Sequence, residues 1–320
     1  MRGADYVLKR TLFAVVTIFV AVSLNFVLFR ALPGDAVSNM ARVPHATPQL
    51  RHALIQEFGL DKPKWEQYVL YLGQLAHLNL GISYANQQPV WANLRNKLWN
   101  TIPMVTLGTV LAILIGLGTG VLSAWRRGTV ADHVSTQIAI AFYAFPTQWL
   151  GLMLLILFAG TLPTSGMSDP YLFNPTLWAK TIDIAKHMFL PSLTVALTLY
   201  GEYTLIVRSS MLETLGEDYV LTARAKGLSS WRIVRTHALR NAMLPTTTLI
   251  ALSLGYIVAG TILIETVFSW PGIGQAVYKA VSDRDYPMLQ GAFLILALSV
   301  VFFNFVADLV YFRLDPRISA

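Results

Sequence analysis

Apolar runs about as long as a bilayer is thick constrain this chain more than any other feature. A helix that crosses a membrane needs about 20 consecutive apolar residues. Such runs occupy residues 11–29, 101–124, 134–160, 188–207, 246–268 and 288–312. The chain is 55% hydrophobic and only 13% charged, with a mean hydropathy of +0.54, which is too apolar for a soluble domain of this size. We predict an all-α membrane protein with six transmembrane helices.

The first run is a membrane anchor rather than a cleaved signal peptide. Lys9 and Arg10 precede it, as in a signal peptide, but the run exceeds the usual 7–15 apolar residues and no small-residue cleavage site follows.

Lysine and arginine in the short connections predict the orientation, because such residues are enriched on the cytoplasmic side. With the N-terminus inside, the short outer loops hold only Lys180, Lys186, Lys279 and Arg284. The inner segments hold Arg2, Lys9, Arg10, Arg126, Arg127, Arg208, Arg224, Lys226, Arg232, Arg235, Arg240, Arg313 and Arg317. Both termini and the 208–245 loop are therefore predicted to be cytoplasmic. The net charge of +7 then reflects topology rather than a nucleic-acid-binding surface.

The long outer segment between the first two spans predicts a small helical cap. Thr47-Pro48 and Gly59 bound one predicted helix, and a second begins at Lys62-Pro63. The apolar stripe of the second helix lies either at the membrane interface or against the other cap helix; it consists of Trp65, Tyr68, Leu72 and Leu75. The chain has no cysteine, so burial and not disulfides must stabilise the cap. The predicted domains are 1–30, the cap at 31–100, and a five-helix core at 101–320.

The cytoplasmic loop contains a short polar helix between Asp218, as N-cap, and Gly227, as the residue after the C-cap. A helix of about two turns is unstable alone, so something must pack on Tyr219, Val220 and Ala223. We interpret this as a partner protein.

A second helix follows in the loop, capped by Ser229 or Ser230. Its apolar stripe and its basic side predict an amphipathic helix, and Leu244-Pro245 marks the entry to the next apolar run. The stripe is Trp231, Val234 and Ala238, and the basic residues are Arg232, Arg235 and Arg240.

The loop sequence resembles that of bacterial ABC-importer permeases of the dipeptide, oligopeptide and nickel class. The resemblance is carried by Asp-Tyr-Val-Leu-Thr-Ala-Arg-Ala-Lys-Gly at 218–227 and His-Ala-Leu-Arg-Asn-Ala-Met-Leu-Pro at 237–245. It extends along the chain through the strings at 32–35, 59–63, 80–83, 265–274, 285–287 and 314–317. Thr222 replaces a Glu that is usual in permeases, and Asn79 replaces an Asp.

The resemblance implies a type I ABC importer permease in the bacterial inner membrane, whose loop docks in a groove on an ATPase. It also implies a second permease subunit, two ATPase subunits that bind ATP and Mg, and an extracytoplasmic substrate-binding protein. The predicted ATPase-coupling residues are Asp218, Tyr219, Thr222, Ala223, Arg224, Ala225, Lys226 and Gly227.

Three polar residues within the apolar runs are candidates for a gate or pathway, because such groups are costly against lipid. Glu265 is interpreted as gate or turn chemistry, with a proton relay as the alternative. Glu202 either snorkels or pairs with a basic group such as Arg208, and a substrate contact is the alternative. Gln148 lies beside Pro146, where a kink is expected.

Other functions find less support in the residues. No Gly-x-x-x-x-Gly-Lys-[Ser/Thr] loop is present, the six histidines lack metal-ligand spacing, and no serine has a recognisable histidine partner. We therefore expect no cofactor, metal or catalytic residue in this chain. A proton-coupled secondary transporter is the main alternative, and a membrane-embedded enzyme or scaffold is the other. The ligand stays open among dipeptides, longer peptides, nickel complexes, haem and glutathione-like compounds.

Overall fold

The computed structural model describes residues 2–31, 55, 59, 61–256 and 261–314, and it is helical as predicted. Within this part, the β pairing is a single isolated bridge between Ile82 and Pro89. The helices are α1 Arg2–Ala31, α2 Lys64–Ala76, α3 Val90–Trp125, α4 Val130–Ala144, α5 Thr147–Leu157, α6 Leu177–Leu215, α7 Asp218–Ala225, α8 Ser230–Ile233, α9 Leu239–Tyr256, α10 Ile262–Val267, α11 Ile273–Ser282 and α12 Tyr286–Leu314, with a π-helical turn at Val234–Ala238.

Four described helices are long and apolar enough to cross a membrane. They contain Asp5–Phe29, Val90–Trp125, Leu177–Leu215 and Tyr286–Leu309, and α4 with α5 brings the number to five if the bent pair is one span. The predicted fifth span, 246–268, includes residues 257–260, which lie outside the described residues. The number of six spans therefore stays a prediction, whereas the membrane character is confirmed.

Two helices, α3 and α6, begin about ten residues before the apolar runs that predicted them. α3 begins at Val90 rather than near residue 101, and α6 begins at Leu177, where Thr176 accepts a hydrogen bond from the Ala179 amide at 3.2 Å. Pro191, which is near the start of the apolar run 188–207, therefore lies in the interior of α6 and not in its first turn. Hydropathy finds the part of a helix that suits a bilayer, and caps determine where the helix ends.

The third predicted span is broken at the proline that was expected to kink it. α4 ends at Ala144 and α5 begins at Thr147, and the two axes differ by 107°. Phe145 and Pro146 between them have extended backbone conformations, because the residue before a proline is disfavoured in the helical region.

One compact unit consists of Met1–Thr101 and Pro271–Ala320. Its core lies between α1, α2 and α12, where Val22, Phe26, Tyr71 and Leu294 are buried together. The α2 stripe packs on this core through Tyr68, Leu72 and Leu75, while Trp65 is 68% exposed. The other predicted cap helix lies almost wholly outside the described residues, so neither interpretation of the stripe is decided. The predicted domain boundaries likewise stay a prediction.

Two sequence strings of this unit meet at a buried carboxylate. Asp285 is 1% exposed and accepts hydrogen bonds from the Ser83 hydroxyl, the Ala85 amide at 3.2 Å and the Met288 amide at 3.2 Å. The last of these bonds caps the start of α12. Asn79, which replaces an Asp, still accepts from the Gly81 amide at 2.9 Å.

An ion pair joins the first and last helices of the same unit. Arg10 contacts Asp308 at 3.1 Å, so this carboxylate in the last apolar run has a structural ion-pair partner.

The other compact unit is Ile102–Trp270, and α6 is the helix on which its other helices pack. A Cβ placed on Gly116 would lie 2.5 Å from the Tyr203 Cβ, and one on Gly120 would lie 2.7 Å from the Val207 Cβ. A Cβ on Gly118 would have no neighbour within 4 Å. Gly116 and Gly120 have the small-xxx-small spacing that predicts close helix packing in a membrane, and these short distances confirm it.

Candidate functional site

The loop helix α7 starts after a two-residue turn at the end of α6. Glu217 occupies the N-cap position in an extended conformation without a side-chain cap bond, and Asp218 is the first helical residue. The prediction of Asp218 as N-cap is therefore wrong by one residue. Its carboxylate still lies in the first turn, where a negative charge interacts favourably with the helix dipole.

The end of α7 is a Schellman motif, as the glycine predicted. Gly227 has φ of +76°, its amide donates to the Arg224 carbonyl at 2.9 Å, and the Leu228 amide donates to the Ala223 carbonyl at 3.3 Å. Glycine adopts this left-handed conformation without a steric cost. The motif turns the chain back so that α8 lies against α7.

The inner side of α7 is covered by the chain itself. Val220 and Ala223 are 0% and 4% exposed and form a buried cluster with Ile233 of α8. Leu215 and Leu228 pack against the same cluster. The prediction that a partner protein must cover Val220 and Ala223 is therefore wrong, because α8 folds back to supply the apolar contact.

The outer side of α7 is exposed and partly apolar. Leu221 and Tyr219 are 53% and 39% exposed, and Thr222 and Ala225 are also exposed. The Tyr219 hydroxyl accepts a hydrogen bond of 2.8 Å from the Asn241 side chain of α9, which ties the two helices together. The sequence prediction omitted Leu221, although its spacing of three from Asp218 and four from Ala225 places it on this side.

The basic end of α7 is also exposed. Arg224, Lys226 and Gly227 have exposed side chains or backbone. Of the eight predicted coupling residues, only Ala223 is buried within the chain.

The second loop helix does not end at Leu244-Pro245. Ser229 is its N-cap, and the helix passes from α8 through the π-helical turn into α9, with Pro245 inside α9. The entry to the next apolar run is therefore continuous with the loop helix. Pro245 has no backbone N–H to donate. Three residues before it, the Ala242 carbonyl accepts a hydrogen bond of 2.9 Å from the Ser210 hydroxyl, which anchors α9 to α6.

The predicted apolar stripe of this helix divides into a buried and an exposed part. Val234 and Ala238 are buried with Met211 of α6. Trp231 is 50% exposed, and its ring centroid lies 5.1 Å from that of Trp125 at the end of α3. The loop is thus packed against α6 and next to the end of α3.

A bidentate ion pair links α4 to α6 close to this loop. The Arg208 Nε lies 2.7 Å from Asp132 Oδ1, and its terminal nitrogen lies 3.0 Å from Oδ2. The Asp132 side chain is only 2% exposed. Arg208 therefore pairs with Asp132. The suggested pairing of Arg208 with Glu202 is wrong. Thr129, which accepts from the Asp132 amide at 3.4 Å, forms the Thr-x-x-Asp pattern that could have revealed this helix start.

The chain matches a known protein family over most of its length. The family described as "Binding-protein-dependent transport system inner membrane component" matches residues 116–320, and its N-terminal counterpart matches residues 4–105. The chain belongs to this family.

Relatives place this permease in the peptide class of ABC importers. The dipeptide transport system permease protein DppB of Escherichia coli K12 is 37% identical over 333 residues, covering 98% of each chain. The di/tripeptide transport system permease protein DppB of Pseudomonas aeruginosa UCBPP-PA14 is 37% identical over 330 residues, again covering 98% of each. The glutathione transport system permease protein GsiC of Escherichia coli O6:H1 is 33% identical over 317 residues, with 98% of each covered. The resemblance seen in the sequence is confirmed.

A solved structure supports the fold of the permease. The inward-facing MetNI methionine ABC transporter matches with a TM-score of 0.52 at 18% identity, and the match covers 69% of this chain and 96% of that one. At this identity, the likeness concerns the fold alone.

The three gate or pathway candidates of the permease lie in different surroundings. Glu265 is fully buried in α10 and accepts a hydrogen bond of 3.1 Å from the Thr261 hydroxyl, while its backbone carbonyl accepts from the Trp270 amide at 2.8 Å. Glu202 is half-buried in α6 and makes no hydrogen bond or ion pair with another described residue. Gln148 is half-buried in the first turn of α5. The Glu265 backbone thus bonds to the turn after α10, and the gate or pathway roles of all three residues stay predictions.

No cluster of three or more His, Asp or Glu that could hold a metal ion occurs within the part of the chain that the structure describes.

Proposed function

We propose that this permease is one transmembrane subunit of an ATP-driven importer of dipeptides, oligopeptides or related peptide-like ligands, and forms half of the translocation path. The names of the dipeptide, di/tripeptide and glutathione permeases support this ligand class. The subunit is not itself an enzyme. Two ATPase subunits bind ATP and Mg, a second related permease completes the path, and an extracytoplasmic binding protein delivers the ligand.

The topology belongs to the same proposal. Six helices cross the bacterial inner membrane, both termini are cytoplasmic, and residues 31–100 form the outer cap. The loop between α6 and α9 then faces the ATPases.

The loop helix α7 couples ATP hydrolysis to transport, and its two-sided structure is the observation that carries this proposal. Its inner side is buried on Ile233, and its outer side exposes Leu221. An exposed leucine on a short, well-anchored helix suits a hydrophobic groove on a partner. Exposed coupling residues surround this contact, and Ala223 supports it from the buried side of α7. The exposed residues are Asp218, Tyr219, Thr222, Ala225, Lys226 and Gly227.

The mechanical step follows from how α7 is attached. Its buried cluster includes contact with Leu215 at the end of α6, and Tyr219 is bonded to Asn241 of α9. When the ATPases close, the force on α7 is therefore transmitted to both helices. The helices move as packed rigid bodies and open the path to one side of the membrane at a time. Glu202, Glu265 and Gln148 are the gate or pathway residues of this proposal.

A charge placed on the outer side of α7 tests the coupling site. In Leu221→Glu, docking would bury a carboxylate without a partner, so we expect the ATPase subunits to co-purify at least tenfold less well, a loss of about 1.4 kcal/mol or more. Val281→Glu is the matched control. Val281 is 59% exposed, and the proposed topology places it on the outer side of the membrane, away from the ATPases. Equal co-purification of both variants with the ATPases would refute the role of α7.

The proton-coupled alternative is tested on the same reconstituted importer. Uptake of a dipeptide should continue when the proton gradient is collapsed at constant ATP. Uptake by a secondary transporter that uses Glu265 or Glu202 as its proton site would stop under the same condition.

A further inference from the structure

Two adjoining depressions lie where the end of α3 meets the loop. The first, of about 320 Å³, lies among the end of α3, the end of α6, α7 and α8, and its lining includes Trp125, Arg127, Arg224 and Ser230. The second, of about 580 Å³, runs along α3 beside Trp231 and α9. Trp125 lines both, so the two border the same indole ring.

The first depression, which we call the arginine cleft, is positively charged. Arg127 and Arg224 reach it from two separate elements, and neither side chain makes an ion pair with another described residue. A third guanidinium, that of Arg126, lies 5.7 Å from the centroid of the Trp125 ring. Guanidinium groups bind phosphate and carboxylate oxygens through paired N–H donors, so the cleft suits an anion.

The second depression, which we call the apolar groove, is lined by carbon-rich side chains. They are Leu117, Val121, Leu122, Trp231, Leu239 and Met243. Gly118 leaves space in its wall, since a Cβ there would meet no atom within 4 Å. The groove follows α3, which is a candidate membrane span, and so suits a hydrocarbon chain.

We propose that the arginine cleft and the apolar groove together bind one anionic phospholipid. Its phosphate lies between Arg127 and Arg224, and one acyl chain follows the groove. Trp125 and Trp231 separate the two parts, at the level where tryptophans are enriched in membrane proteins. A protein carboxylate would match the cleft but not the groove, whereas a phospholipid carries both chemistries in one molecule.

This proposal gives Arg224 a ligand of its own. Arg224 also stays a predicted ATPase-coupling residue, and its side chain lines the arginine cleft together with Trp125 and Arg127 of the α3 end. Lipid binding can therefore be measured on the isolated permease, and its failure would leave the docking of Leu221 untouched.

Lipid titration of the purified full-length permease, followed by native mass spectrometry, tests the proposal. Phosphatidylglycerol should bind more tightly than phosphatidylcholine. Arg127→Gln and Arg224→Gln should each weaken phosphatidylglycerol binding about fivefold, and about 25-fold together, since each basic residue near an anionic lipid contributes about 1 kcal/mol. Arg235→Gln, an exposed arginine of the same loop that lines neither depression, should bind as the wild type does.

A second variant tests the groove independently of charge. In Gly118→Leu, the leucine side chain extends from α3 into the apolar groove. The variant should therefore weaken phosphatidylglycerol binding although both arginines remain. Glycerol 3-phosphate should bind far more weakly than the lipid because it has no acyl chain. Equal binding of glycerol 3-phosphate and phosphatidylglycerol would indicate a site for free anions and overturn the proposal. Unchanged lipid binding in the double arginine variant, or cross-linking of Trp125 to an ATPase or second permease in the assembled importer, would also overturn it.

Discussion

Gly118 and Gly120 offer a matched test of how tightly α3 packs on α6. Both lie in the same helix, two residues apart. A Cβ on Gly120 would lie 2.7 Å from the Val207 Cβ and 2.8 Å from the Thr204 carbonyl oxygen, whereas one on Gly118 would meet nothing within 4 Å. Replacing each by alanine therefore adds the same methyl group to two different surroundings.

The expected magnitudes follow from two opposing effects. Alanine is favoured over glycine inside a helix by about 0.5–1 kcal/mol, so Gly118→Ala should raise the stability by that amount. An added methyl in a filled interface costs about 1–3 kcal/mol. The helix effect is common to both variants, so their difference isolates the packing cost, about 1–3 kcal/mol.

Gly201 of α6 extends the series. A Cβ there would lie 2.3 Å from the Ala139 carbonyl oxygen and 2.8 Å from the Tyr143 Cβ. A backbone carbonyl moves only with its helix, so Gly201→Ala should be the least stable of the three variants.

Thermal unfolding in one detergent and at one scan rate measures the series, since membrane protein unfolding is often irreversible and then depends on rate. For a unit of the size of Ile102–Trp270, about 2–4 °C corresponds to 1 kcal/mol. Gly120→Ala should thus melt about 2–12 °C below Gly118→Ala. Equal midpoints for these two variants, or a Gly201→Ala variant as stable as wild type, would refute the close packing of α6.

Two further predictions use the same thermal-unfolding measurement, and a third uses the assembled importer. Asp132→Asn should lower the stability by about 3 kcal/mol, because it leaves the Arg208 guanidinium without its charged partner. Adding Arg208→Gln should recover part of the lost melting midpoint. A further, additive loss would contradict the pairing. Ser83→Ala should cost about 1–3 kcal/mol in thermal unfolding, since a buried carboxylate loses a donor, and an unchanged midpoint would contradict that bond. Gly227→Val should impair ligand-stimulated ATP hydrolysis of the assembled importer more than Gly227→Asn, because asparagine tolerates positive φ and valine does not; equal rates would contradict the need for this turn.

Hydropathy and residue size predicted the parts of the fold that depend on one helix at a time. The apolar runs located the four long helices, and the spacing of Gly116 and Gly120 identified the side of α3 that packs closely. Pro146 predicted the break between α4 and α5, although not its angle of 107°. The angle depends on what α4 and α5 pack against, since the proline itself only excludes the helical conformation before it.

The pairing of Arg208 could not be predicted in the same way. Glu202 is six residues away in the sequence, but residues at i and i+6 lie on different sides of a helix, whereas i+3 and i+4 are neighbours. Asp132 is 76 residues away and reaches Arg208 because α4 packs on α6. Tertiary packing therefore decided which carboxylate is bound, and only the cap pattern at Thr129 marked Asp132 in advance.

The loop shows why an amphipathic pattern cannot by itself identify what covers it. The spacing of Val220 and Ala223 correctly indicated an apolar side on α7 that had to be covered, but a helix of the same chain and a partner protein present the same requirement. Ile233 satisfies it within the chain, so the partner contact must be sought on the opposite side, at Leu221. Because the inner side is already held by α6, α8 and α9, the proposed docking would engage α7 as a formed helix and would cost little conformational entropy. A preformed contact of this kind can transmit force in both directions, which a helix that folded only on binding would do less well.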